Sequence, residues 1–346
     1  MCAQVSLLVD SDFAGWDAFV EQHDHGTFCH LSGWKTVIEQ GAGQACPYIV
    51  AKQDGDIVGV LPLTIKKHLI FGKALISNMF CVYGGALGLD EFIINALYQY
   101  AWDIAQNNNL PVLEIRGEVP GQDGSSNWVA SSSSATFKKT LSLNDDDQLL
   151  AIPRKQRAVI RKSLKSELTT NWTGDLDVFY DLYARSVLAL GTPVFPIKLF
   201  VALTSVFGDD VQIQNTTTSD GSPVASLMSF YFKETVMPYY AGGTAAVRQL
   251  AAHDFMYYSL MLRARERGCN QFDFGRSKID SGPYRFKKNW GFEPIPLLYH
   301  SRLAAGAVQP NLSQQTGPFS TLSKVWKKLP LGVSKILGPP LARHLG

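Results

Sequence analysis

One arrangement of turns occurs twice in this chain at a nearly constant spacing, and it constrains the fold more than any single motif. Asp54-Gly55 sits between two apolar-alternating runs, YIVAKQ and IVGVLPLTI, which reads as a β-hairpin with a tight turn. Asp220-Gly221 sits likewise between VQIQNTTT and PVASLMSFYF, 166 residues further on. Upstream, Gly26-Thr27 and Gly191-Thr192 each end a helical segment at an offset of 165. Trp34 to Ile38 matches Leu199 to Leu203 at the same offset, each within a short amphipathic helix. Downstream, a further strand ends at Gly84-Gly85 in one half and at Gly242-Gly243 in the other, an offset of 158. Each glycine pair leads into a helix, EFIINALYQYAWDIAQ and HDFMYYSLMLRARERG, and each helix into a strand bearing one acid, Glu114 or Asp273. The order helix, helix, strand, strand, strand, helix, strand thus occurs twice. It predicts an α/β (α+β) chain of two lobes related by internal duplication: a first lobe at 1–117, a linker with a basic helix at 118–175, a second lobe at 176–300 and a basic, apolar tail at 301–346.

Composition agrees with two globular lobes. The chain has 346 residues, 46% hydrophobic and 18% charged, enough to bury a core without disulfides or metals. No run approaches the ~20 apolar residues of a membrane span. The N-terminus, MCAQVSLLVDSDFAGWD, has no basic n-region, so no secretory signal is expected. Cys2, Cys29, Cys46, Cys81 and Cys269 are odd in number and never spaced as C-x-x-C, which argues against a disulfide framework or a zinc ribbon and for a reducing, cytoplasmic setting. The formal net charge of +2 hides an asymmetry. Residues 1–150 carry 17 acids and 8 bases, residues 151–346 carry 13 acids and 24 bases, and no acid follows Glu293. Such a split suggests that the second half faces an anionic partner.

Several segments carry a resemblance in a fixed order: IPRKQRAVIRK, LYARSVLALGTPVFP, PYYAGG, FDFGRSK and FKKNWGFEP, then the tail WKKLPLGVSKILGPPLARHLG. With the repeated element order, which is that of the GNAT acyltransferase core, they resemble the FemAB family over nearly the whole chain. The likeness is to the FemAB-related proteins associated with exosortase/PEP-CTERM systems. The resemblance implies two tandem GNAT-like lobes and transfer of an acyl or aminoacyl group to an amine. The donor it implies is aminoacyl-tRNA, a co-substrate with no bound cofactor, and the acceptor a cell-envelope or exopolysaccharide precursor. No stable protein partner is implied.

Acyl transfer from an ester or thioester needs an amine that can lose a proton, stabilisation of a developing oxyanion, and reactants held in line. Residues 272–294 are the best source of such groups. Asp273 alternates with Phe272 and Phe274, so its carboxylate points away from both rings and can orient or deprotonate an amine; the alternative is an ion pair with Arg276. Gly275 permits a tight turn, after which Arg276 and Lys278 can hold an anionic group. Tyr284 joins them as a substrate-binding candidate. Phe286 to Phe292 reads as a short helix closed by glycine, with aromatics packed and Lys287 and Lys288 facing out. The resemblance places Lys287 in the substrate cleft, where it would stabilise an oxyanion or bind phosphate, so Lys287→Ala is expected to lose turnover with little change in melting temperature. Tyr239, Tyr240 and Gly242 end the strand at which such a lobe would open for its donor, with core tyrosines as the plainer reading.

The segment PRKQRAVIRKSLKSEL puts Arg154, Arg157, Arg161 and Lys165 on one helical stripe beside Ile160, Leu164 and Leu168, which suits a run of phosphates as in tRNA. Neither GGALGLDEF nor GGTAAVRQLAAHDF matches the glycine loop that CoA-dependent relatives use for pyrophosphate. A CoA-dependent N-acyltransferase remains the alternative enzyme, and an inactive binding module for anionic glycan precursors the alternative of another class. The tail from Phe319 mixes aliphatics with lysines; prolines at 330, 339 and 340 keep it from spanning a bilayer, leaving contact with the inner membrane or docking on the protein itself. His23-Asp24-His25 fits no zinc spacing, so no metal is expected, and Ser131 to Ser134 read as a flexible patch.

Overall fold

The structure, a computed structural model, describes residues 3–69, 71–121, 127–307 and 318–345; Cys2 and residues 308–317 of the expected tail lie outside it. The chain forms two compact units, one of Met1–Ser132, Leu297–Ser313 and Pro340–Gly346, the other of Ser133–Pro296 and Gln314–Pro339.

The first unit keeps the expected succession of two helices, a hairpin, a helix and a strand, with a strand added before it and further strands between the hairpin and the third helix. After the edge strand β1 (Gln4–Leu7) come α1 (Phe13–Gln22) and α2 (Gly33–Ala42), which bury Trp16, Val20, Trp34, Val37 and Ile38. The hairpin of β2 (Ile49–Gln53) and β3 (Asp56–Leu61) turns at Asp54-Gly55 as predicted. The expected continuous strand IVGVLPLTI is instead two. Pro62 offers no N–H to a ladder, so β3 stops at Leu61 and β4 (Thr64–His68) leaves to pair with β5 (Gly72–Ser77). Gly84-Gly85 do not end a strand either: β5 closes at Ser77, and the glycines lie in the loop that leads to the two-residue β6 (Leu87–Gly88). Helix α3 (Glu91–Asn107) starts at Asp90, whose carboxylate accepts from the Ile93 amide, and packs Ile93, Leu97 and Ala101 with Ile49, Ala51 and Val58 of the sheet. Strand β7 (Val112–Ile115) then pairs in parallel with β5.

Residues 118–175 were expected as a linker, and most of them are not. Ser131 to Ser134 lie within the thirteen-residue β8 (Trp128–Thr140). In β8, alternation buries Ala135 and Phe137 in the second unit's core, and Lys138 to Thr140 pair with the strand at Gln271–Asp273. A serine run is compatible with a strand once a partner ladder supplies the hydrogen bonds. Helices α4 (Asp145–Leu150) and α5 (Arg154–Ser163) and the short β9 (Thr169–Asn171) also belong to this unit.

The repeat then runs as α6 (Leu176–Leu190), α7 (Ile197–Phe207), β10 (Val211–Thr217), β11 (Pro223–Phe232), β12 (Thr235–Gly243), the single turn α8 (Val247–Leu250), α9 (Ala252–Glu266) and β13 (Gln271–Asp273). It is followed by β14 (Ser277–Lys278) and α10 (Gly282–Asn289). The sheet order here is β8-β13-β12-β11-β10-β9, with β14 on β8. The chain next supplies β15 (Pro294–Leu303), which pairs with β7, and ends with α11 (Pro318–Trp326) and α12 (Leu331–Ala342).

Two features of β12 shape this unit. Its parallel pairing with β13 covers only Thr235↔Gln271 and Val236↔Phe272, so from Met237 onward the two strands part. Opposite β11 the register slips between Met228↔Tyr240 and Ser229↔Pro238, which leaves Tyr239 as the extra residue of a β-bulge. Gly242 has a packing role that the sequence did not show. A Cβ there would lie 2.3 Å from the Tyr183 amide nitrogen and 2.4 Å from the Leu182 carbonyl, so α6 runs directly over it and no substrate approaches this atom. Gly242→Ala should therefore lower stability by about 1–3 kcal/mol, read as a fall in melting temperature of several degrees. An unchanged melting curve would contradict this packing.

Candidate functional site

The second unit gathers the candidate residues around the turn that follows β13. The Asp273 carboxylate is 1% exposed and accepts at Oδ1 from Thr136 Oγ1 (2.8 Å) and from the Gly275 amide (2.8 Å). Its other oxygen lies 3.6 Å from Lys138 Nζ. Thr136 and Lys138 reach it from β8, and the Gly275 amide from the turn itself. Gly275 takes φ +65, the left-handed conformation that lets the strand reverse there. The aspartate is a positioning residue for this turn, too enclosed to meet an amine arriving from solvent.

Lys287 was expected to face outward, and instead it is 8% exposed. Its ammonium donates to the carbonyls of Phe274 (2.7 Å), Gly275 (2.8 Å) and Arg276 (3.3 Å), and lies 5.4 Å from the centre of the Phe137 ring. Burial lowers its pKa to about 7, with Asp273 pulling the other way. All three protons are engaged, so Nζ has none left to offer an oxyanion in this state. What it supplies is charge beneath the turn and a hold on three carbonyls. Lys288 does face solvent, while Trp290 and Phe292 are buried as expected.

Arg276 and Lys278 are exposed on either side of buried Ser277, and Lys278 pairs with β8 through β14. Tyr284 is half-buried, edge-on to Phe137 at 5.2 Å. Tyr239 sits at the bulge, half-buried against Phe230 at 4.8 Å. Tyr240 is a core residue: 6% exposed, it meets Phe200 (5.1 Å) and Tyr183 (5.7 Å) edge-on. The plainer reading applies to Tyr240, whose ring closes the packing between α6, α7 and β12.

The basic helix α5 starts at Arg154, after Pro153, as expected, but ends at Ser163. Arg154 and Arg161 are exposed, Arg157 is half-buried, and Lys165 lies beyond the helix in a turn closed on the Lys162 carbonyl. The seating stripe is Gln156, Ile160 and Ser163, whereas Leu164 is 47% exposed. Gln156 reaches α9, where its amide donates to Asp254 Oδ1. Burial raises the Asp254 pKa to about 6, with the Gln156 bond acting in the opposite sense. Asp254 stands in the first turn of α9, where an acid is favourable in any helix. The missed signal was a glutamine on the apolar side of a basic helix, which needs a buried polar partner.

The first unit has a comparable cation. Arg116 is 5% exposed; Nη1 donates to the carbonyls of Asn78 (2.9 Å) and Cys81 (2.6 Å), and Nε to Glu114 (3.2 Å). The His23–His30 segment is a capping structure, with the Thr27 hydroxyl and His30 Nδ1 2.8 Å apart. Among the described residues no group of three His, Cys, Asp or Glu could hold a metal, and no helix is long and apolar enough to cross a membrane.

Two stability measurements follow. Lys287→Ala leaves three carbonyls without their donor and opens a cavity, so it should cost about 2–4 kcal/mol. This replaces the small change in melting temperature expected from sequence. Because the lysine titrates lower in the folded state, the unfolded chain binds its proton between about 7 and 10.5. The wild type should therefore gain stability through this group as pH rises across that window, a slope the variant loses. For Asp254 the sign is opposite. Its raised pKa favours folding at low pH, and that contribution is lost as pH rises through about 6. Asp254→Asn keeps an acceptor for Gln156 and should be more stable than wild type at pH 8 by about 1 kcal/mol, after allowance for partial exposure, with the gap closing in acid.

Residues 154–288 match the model of the acetyltransferase (GNAT) domain. No curated protein matches the chain. Among solved structures, the chain is similar to FemX, with a TM-score of 0.65 and 16% identity over 94% of this chain and 100% of FemX. It is also similar to the C-terminal (DUF2156) domain of an Agrobacterium fabrum protein assigned as a lysylphosphatidylglycerol synthetase, with a TM-score of 0.57 and 12% identity over 85% of this chain and 93% of that one. A tandem GNAT protein from the clavulanic acid biosynthesis pathway gives a TM-score of 0.57 and 15% identity over 88% and 99% of the two chains. At these identities the likeness is one of fold, and with the domain match it supports a GNAT-type acyltransferase. The chain is an α/β protein of two tandem GNAT-like lobes related by duplication.

Proposed function

We propose that this protein is a GNAT-type acyltransferase that moves an aminoacyl group from aminoacyl-tRNA to an amine of a cell-envelope or exopolysaccharide precursor. The observation that carries the proposal is the parting of β12 from β13 beside the Gly275 turn, in the unit that also bears the exposed cations of α5. The pairing of β12 with β13 ends at Val236, and an extended acyl donor would enter beside β12 beyond that point. The FemX and lysylphosphatidylglycerol synthetase likenesses favour an aminoacyl group, and the association of the sequence resemblance with exosortase systems favours an envelope acceptor.

In this reaction the acceptor nitrogen attacks the donor carbonyl. A C–N bond forms as the ester C–O bond breaks, and one amine proton passes, directly or through water, to the leaving tRNA oxygen. Asp273 and Lys287 act by fixing the turn rather than by touching the reacting atoms. Arg276 and Lys278, exposed beside it, take an anionic group of the acceptor, while Tyr239 and Tyr284 line the approach. Arg154 and Arg161 take donor phosphates, and Arg157 and Lys165 flank them.

Acyl-CoA is the second donor to test, because the domain match is to an acetyltransferase model. Against it stands the stretch between β12 and α9, which has no glycine loop and is occupied by the α8 turn and by Ala251 in a left-handed conformation. Filter retention of charged tRNA should show saturable, salt-sensitive binding that falls at least ~tenfold in Arg154→Glu/Arg161→Glu. No binding at low salt, together with a rise in melting temperature on adding acetyl-CoA, would replace the tRNA reading with the CoA one.

A further inference from the structure

The C-terminal helices are mounted with their apolar side outward. In α12 the residues turned to the protein are small: Ser334 is 2% exposed, and a Cβ on Gly338 would lie 2.9 Å from the Val194 amide nitrogen. Lys335 completes the mount, with Nζ 2.7 Å from Asp181 Oδ1 and 5.6 Å from the centre of the Tyr180 ring. The large aliphatics lie on the other side: Val333 is 38% exposed, Ile336 74% and Leu337 49%. Their i, i+3, i+4 spacing forms one stripe. Helix α11 repeats the arrangement. Ser323 packs on Gly191 at the end of α6, while Leu322 and Val325 are each 59% exposed. A soluble helix ordinarily buries such a stripe; here the mount is made by Ser334, Gly338 and Lys335 in α12, and by Ser323 with the half-buried Trp326 in α11.

We propose that this face, from Leu322 to Leu337, docks on an anionic membrane surface. Charge selects the occupant. Lys324, Lys327 and Lys328 are all exposed beside the aliphatics, and no acid follows Glu293. A second copy of the chain would bring the same lysines against these and be repelled, whereas anionic headgroups attract them while the aliphatics enter the acyl boundary. Pro330 separates the two helices, and nine- and twelve-residue segments are too short to span, so they lie in the interface plane. The lysine stems are long enough to reach headgroups from the flank of each helix. Binding here does not require the acyltransferase reading and is measured without any donor.

The test is co-sedimentation of the whole chain with phosphatidylcholine vesicles, with and without phosphatidylglycerol. The protein should pellet with the phosphatidylglycerol vesicles and less so as salt rises. Each lysine near the surface contributes about fivefold, so Lys324→Glu/Lys327→Glu/Lys328→Glu should lose well over ~tenfold. Ile336→Gln/Leu337→Gln changes only exposed side chains and should keep the wild-type melting curve while losing vesicle binding. Equal binding by wild type and both variants, no preference for phosphatidylglycerol, or no pelleting at all would overturn the proposal. So would a dimer in light scattering that Ile336→Gln/Leu337→Gln converts to a monomer, because the face would then belong to a second copy.

Discussion

A lysine ammonium enclosed by aromatic rings is tenable only where oxygen atoms replace its lost water, and in this protein that requirement organises the end of the sheet. Lys287 draws the carbonyls of Phe274, Gly275 and Arg276 around itself, and Asp273 pins the Gly275 amide from the other side. Anion and cation thus grip one turn through its N–H and its C=O groups. The turn in turn delivers Ser277 and Lys278 to β8 as β14, and leaves Arg276 and Lys278 exposed. Loosening either grip frees the backbone on which those cations stand. The residues with the strongest chemical character here therefore act on geometry first.

The two units solve a similar problem with different residues. In the first, Arg116 lies under the loop after β5 and takes the carbonyls of Asn78 and Cys81. Irregular backbone near a core must have its carbonyls satisfied, and a buried guanidinium or ammonium does this with several donors at once. One difference between the units lies where Pro62 divides β3 from β4. The second unit has no proline at the middle of β11, which runs ten residues unbroken beside β12. Duplication preserved the order of elements while the ladder was cut in one copy and kept in the other.

Much of this was legible in the linear chain. The twofold succession of helices and strands, the Asp-Gly hairpin turns, the start of the basic helix and the packing of Trp290 and Phe292 all follow from residue type and period. The failures share a cause. Ser131 to Ser134 look flexible because nothing local shows that β13 and β14 will pair beside them. Gly242 looked like a place for substrate because α6, which occupies that space, lies some sixty residues earlier. Leu164 was assigned to the seating stripe and Gln156 was not, because the Asp254 that holds Gln156 sits on another helix.

Periodicity and turn chemistry act between neighbours in sequence, so the sequence by itself determined the element order, the duplication, and the concentration of positive charge in the second half and the tail. Which side chains lost their water was decided only by the tertiary structure. Lys287 and Lys288 are adjacent and chemically identical, yet one lies under three carbonyls and the other in solvent. Val333, Ile336 and Leu337 would pass for a core stripe in any isolated helix, and only the contacts of Ser334 and Gly338 turn them outward. Burial depends on partners distant in sequence, and it is burial that sets both the state of a charge and the meaning of an apolar face.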